Sequence, residues 1–132
     1  MLIGGDTGFI IGIAEGEGSA LARWAEVVEG QVDLVISVIT INELLVHFYK
    51  RGKTESAEEL LDLLRALGNI RFWPVTEEIA ERSAGYRYGL GIPTVDSLIL
   101  ATFVSAGCDL VLSSDEHFHK AAEQKIITLR GA

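Results

Sequence analysis

The chain has 132 residues, 48% of them hydrophobic, and its 11 basic and 19 acidic side chains give a formal net charge of −8. That length suits a single domain, residues 1–132, with one core of its own, and two prolines leave no composition for a disordered linker. The acidic balance excludes a surface that grips nucleic acid broadly through its phosphates, so a nucleic-acid role has to rest on local basic residues or on a bridging cation.

No apolar run approaches the roughly 20 residues of a membrane helix. The start, MLIGGDTGF, has no basic stretch and no cleavage-like site, and the single Cys108 cannot form an internal disulfide. Both point to a reducing cytoplasm, with Cys108 a small buried hydrophobe.

MLIGGD predicts a short strand stopping at Asp6, followed by helical spacing through TGFIIGIAEG and SALARWAEVVEG, broken at Gly16 and Gly18 and stopped at Gly30. DLVISVIT is a β-branched run without alternation, as in a strand buried on both faces. TINELLVHFYKRG and SAEELLDLLRALG predict two helices, the first with Glu43 in its opening turn. IRFWPV is a short strand, and TEEIAERSAGYRYG a helix capped by Thr76 with Glu77 and Glu78 suited to its dipole. After Pro93, Thr94 caps a further helix that Gly107 ends; DLVLS and IITL are the last strands. Strands alternating with helices imply βαβ crossovers: a three-layer α/β/α fold with a mostly parallel central sheet.

Asp6 follows the first strand, Glu43 the second, and Asp115 the strand DLVLS; Asp96 opens the helix leading into that strand. The ends of parallel strands share one edge, and that edge is where open α/β sheets bind ligands. Each acid also has a plain structural account. Asp6 and Asp115 fit N-cap positions, Asp96 suits a helix N-terminus, and Thr40 with Glu43 forms the T-x-x-E pattern of a capping box. Four carboxylates brought together would instead need a cation, and oxygen ligands with no histidine or cysteine nearby select Mg²⁺, or alternatively Mn²⁺, over zinc. Thr7 and Ser113 flank the acids as supporting hydroxyls, able to bind a phosphate, a carboxylate or a water, or simply to cap. His117 and His119 read as exposed and non-catalytic, His47 as packing or surface, and Trp24 and Trp73 as core or interface residues. Lys50, Arg51 and Lys53 form a basic cluster that also suits a helix C-terminus.

The segments DTGFII, SVITINELL, TVDSLILATFVSAG and LVLSSDEHF resemble the four acidic motifs of PIN-domain nucleases, most closely the VapC-type toxins, in order and over nearly the whole chain. The resemblance implies a Mg²⁺-dependent endoribonuclease with Asp6 and Asp96 as core metal ligands and Glu43 and Asp115 completing the site. It also implies a homodimer and an antitoxin whose tail covers the pocket, with an arginine among the acids. Ser113 matches the small hydroxyl residue two before the last aspartate. Gly4 and Gly5 depart from the pattern, standing where bulkier apolar residues are typical, and His117 stands where many members have an acid.

The expectation is a cytoplasmic ribonuclease in which a carboxylate-held cation activates water against an RNA phosphodiester, with Lys50, Arg51, Lys53 and Arg87 steadying the substrate. Two rival readings stay open: a catalytically silent interaction module of the same fold, and a small-molecule phosphohydrolase. No G-x-x-x-x-G-K-[ST] or G-x-G-x-x-G motif supports a nucleotide site.

Overall fold

A computed structural model describes residues 1–131. The elements run β1 (Leu2–Gly5), α1 (Thr7–Ala14), α2 (Gly18–Val28), β2 (Asp33–Ser37), α3 (Val38–Tyr49), α4 (Thr54–Ala66) and β3 (Ile70–Trp73). They continue with α5 (Glu77–Leu90), α6 (Thr94–Ala106), β4 (Leu110–Leu112), α7 (Glu116–Glu123) and β5 (Leu129–Arg130). The five strands form one sheet in the order β3-β2-β1-β4-β5, every pair parallel.

Alternation along the strands sorts the core into two layers. Ile3, Leu34, Ile36, Leu110 and Leu112 point to one face, where Phe9 and Ile10 of α1, Leu44 of α3 and Leu64 of α4 cover them. Val35 and Val111 point to the other face, covered by Leu100 and Phe103 of α6 and Phe118 of α7. Helices on both sides of a parallel sheet make the α/β/α arrangement expected from the sequence.

The two glycines of β1 belong to this packing. An added Cβ at Gly4 would lie 2.5 Å from Cδ1 of Phe103, and one at Gly5 would lie 2.8 Å from Cδ2 of Phe9. Aromatic rings from the two helical layers therefore sit directly on the backbone of the central strand.

Boundaries differ from expectation in three places. The β-branched run DLVISVIT leaves the sheet at Ser37, whose Oγ accepts the amide of Ile39 and starts α3 three residues early. Glu43 consequently lies in the second turn rather than the first, and Thr40 is a buried helical residue rather than a cap, so there is no capping box. At α6 the N-cap position is Pro93, and Thr94, expected to cap, instead has its carbonyl bound by Ser97 Oγ at 2.7 Å. The last strand is Leu129–Arg130, later than IITL, and Cys108 is half-buried rather than fully enclosed, its burial pushing the thiol up to about 12. Trp24 and Trp73 pack against the two cores, as expected. Among the described residues no helix is long and apolar enough to cross a membrane.

Candidate metal centre

The strand order reverses direction at β1: the chain moves outward through β2 to β3, then crosses back to place β4 on the other side of β1. At such a switch point the carboxyl ends of neighbouring strands part, leaving a crevice. Asp6 directly follows β1, and Asp115 lies three residues past the end of β4. The two acids thus flank the crevice because of topology.

Local helix chemistry then aims them. Asp6 is the N-cap of α1, its Oδ1 accepting the amide of Phe9 at 2.8 Å. Asp115 is the N-cap of α7, its Oδ1 accepting the amide of His117 at 2.8 Å. Asp96 stands in the first turn of α6. Three helix N-termini therefore favour negative charge here. Capping and membership of an acidic cup are not alternatives; the same oxygens' geometry serves both.

The hydroxyls extend the network. Ser113 Oγ donates to Asp6 Oδ2 and accepts the Asp115 amide at 3.0 Å. Thr7 Oγ1 donates to Glu43 Oε1 at 2.5 Å and lies 3.0 Å from Thr40 Oγ1. With Thr7's one proton given to Glu43, Thr40 has to donate to Thr7, a relay through α1 that orients Glu43 on α3.

Electrostatics tie Asp6 and Asp96 to their acidic neighbours. Asp6, only 6% exposed, is raised from 3.8 to about 6, chiefly by burial, with Asp115 and Asp96 adding repulsion and the bonds from Ser113 and Phe9 opposing it. Asp96 is raised by burial first and then by Asp115 and Glu43, while His117 pulls it down. One ligand atom from each of Asp96, Asp115 and His117 fits within 4.8 Å of the others. Carboxylates whose charge is disfavoured by burial and by neighbouring acids are a donor set that a divalent cation suits, so the residues fit the metal their chemistry implies.

His117 is the residue the sequence reading misplaced. Its side chain is 28% exposed and its Nε2 faces Asp96 Oδ2 at 3.9 Å, whereas His119 is exposed as expected. The premise that no histidine lies near the acids is therefore corrected. The available signal was position: Asp115 caps the helix, and side chains in a first turn lean back toward the N-terminus, here toward the strand ends.

The basic residues divide. Lys50 and Arg51 line a cleft that also contains Thr7 and Glu43, and Arg51 with Lys53 continues into the adjoining cleft beside Ser56. Arg87 lies elsewhere, beside Tyr88 in a groove between α5 and α6. His47 closes the first cleft, its ring edge-on to Phe48 and its Nε2 3.2 Å from Glu15 Oε1.

The fold and site together define an α/β protein with an all-parallel sheet and, at its switch point, an Asp/His cluster consistent with a metal site. The chain belongs to the PIN domain family, whose model matches residues 5–124. No curated protein matches it in sequence. Among solved structures it is similar to VapBC2 from Rickettsia felis, described as bound to a DNA fragment from its promoter (TM-score 0.77, 16% identity, 99% of this chain and 98% of that one). It is similar to a toxin–antitoxin complex from Klebsiella pneumoniae (0.72, 21%, 96% and 95%). A third is Mycobacterium tuberculosis VapC20, described as a sarcin–ricin loop cleaving toxin (0.74, 18%, 90% and 94%).

Proposed function

We propose that the chain is a single-domain, divalent-metal-dependent endoribonuclease acting through Asp6, Glu43, Asp96 and Asp115, and the toxin of a toxin–antitoxin pair. The observation that supports this reading is an acidic cluster within a PIN fold, in which Asp96 and Asp115 bring ligand atoms together and burial, then neighbouring acids, raise the proton affinity of Asp6 and Asp96.

Asp6, Asp96 and Asp115 would hold the cation, Mg²⁺ or Mn²⁺, with Glu43 completing the site directly or through water. When bound, the cation supplies charge that offsets the phosphate oxygens and acidifies a water. Ser113 keeps Asp6 turned into the cup, and Thr7 and Thr40 do the same for Glu43. Lys50 and Arg51 line an approach along which an RNA backbone can reach Glu43, so grip comes from a local basic strip on an acidic protein. An antitoxin partner is supported by the similarity to toxin–antitoxin complexes; a homodimer is proposed from the family resemblance alone.

The deciding experiment is cleavage of mixed RNAs with Mg²⁺, Mn²⁺ or EDTA, comparing the natural chain with Asp96→Asn. Cleavage that needs metal and is lost in the variant is expected. RNA left whole under every metal, or cut equally by Asp96→Asn, overturns the proposal; release of phosphate from small phosphoesters with RNA intact would replace it.

A further inference from the structure

The ring of His117 has no hydrogen bond to account for its placement. Its Nδ1 is buried without a partner, among Ile92, Asp96, Leu100 and Phe118. Its Nε2 is 3.9 Å from Asp96 Oδ2, beyond hydrogen-bonding distance. Packing and the α7 backbone, whose His117 amide is fixed by Asp115, hold the imidazole against the acids. An imidazole held this way presents a ring nitrogen to whatever the carboxylates share.

We infer that His117 is a nitrogen ligand of the cation held by Asp96 and Asp115, and that it turns the cup toward Mn²⁺ and later first-row cations over Mg²⁺. The inference rests on the metal-site reading above and adds the identity of the metal. The three side chains bring donor atoms within 4.8 Å of one another, the spread of a single ion's surroundings. Mg²⁺ takes oxygen ligands almost exclusively, whereas an imidazole in the set strengthens binding of transition cations in the order Mn²⁺, Fe²⁺, Co²⁺, Ni²⁺.

The test uses Mn²⁺ itself as the probe. Pulsed EPR of the full chain loaded with Mn²⁺ should show the modulation of a directly bonded ¹⁴N, absent in His117→Gln. Calorimetric titration with Mn²⁺ and Mg²⁺ should show the ratio of the two affinities falling about tenfold or more in that variant. Because the spectrum of the natural chain reports on the ligand by itself, a variant that loosens α7 does not obscure the answer. Mn²⁺ bound in the cup, and displaced by Asp96→Asn, but without nitrogen modulation would overturn ligation by His117 and leave the nuclease reading intact. Nitrogen modulation with RNA left uncut would uphold the ligand and defeat the nuclease. No Mn²⁺ binding at all would defeat both.

Discussion

Ser113 Oγ donates its proton to Asp6 and takes the amide proton of Asp115, so one hydroxyl joins the carboxyl ends of β1 and β4. Its loss has a defined chemical result. In Ser113→Ala, Asp6 loses the bond that most opposes its burial and holds its proton to higher pH. Divalent-cation affinity at pH 6 should fall about tenfold in the variant, since the metal must displace that proton, and should recover by pH 8. Titrations across that range check it; Ser113→Thr, which keeps the hydroxyl, should stay near the natural value.

Asp6 also makes the metal-free chain pH-sensitive. Its folded value of about 6 lies above the ordinary 3.8, so between these the folded chain keeps a proton that the unfolded chain has released. Stability therefore falls as pH rises through that window, by up to about 3 kcal/mol from this residue. Urea unfolding of the natural chain and Asp6→Asn at pH 4 and pH 7 should show the difference, with the variant gaining relative stability at pH 7.

Cation binding should reverse that loss. A ligand that binds only the folded form stabilises it, by about 2.7 kcal/mol at a hundredfold excess over its Kd. Thermal unfolding at pH 7 should shift upward with Mn²⁺ or Mg²⁺ in the natural chain and remain unmoved in Asp6→Asn/Asp96→Asn. An equal shift in the double variant would place the cation elsewhere.

The strand backbone offers a test independent of chemistry. Gly4→Ala drives a methyl to 2.5 Å from the Phe103 ring, an overpacking that costs about 1–3 kcal/mol. Phe103→Leu removes the ring, so the two substitutions together should cost less than their sum, with a coupling of about 1 kcal/mol. Chemical denaturation of the four proteins in that cycle measures it.

The basic approach is separable from the acids. Lys50→Ala/Arg51→Ala should raise KM for RNA about tenfold with kcat little changed, and flatten the salt dependence of binding by about 1.4 units of slope, about 0.7 for each cation removed. Arg87→Ala, in the separate groove beside Tyr88, should do neither.

Much of this was legible beforehand because different parts of the molecule obey different rules. The neighbourhood of Asp6 and Asp115 followed from chain order: residues just past adjacent parallel strands share an edge whatever their side chains do. Asp96, which opens a helix, had no such rule. Helix starts were harder. Val38, Ile39 and Thr40 are β-branched, and propensity assigned them to the strand, yet the cap at Ser37 and burial of Thr40 turn them into α3. His117 was misread because exposure was inferred from loop position, while its direction is set by the helix that Asp115 starts. Gly4 and Gly5 looked like a gap in the packing; the rings of Phe103 and Phe9, far apart in sequence, fill it.

The placement of β4 beside β1 carries a consequence for biosynthesis. Residues 3–5 find their partners only at positions 110–112, so the first strand waits for more than a hundred further residues before one of its flanks is covered. A chain still leaving the ribosome, or one clipped anywhere in between, holds Asp6 apart from Asp115. Whatever the cup does begins only after β4 has been made and has docked beside β1.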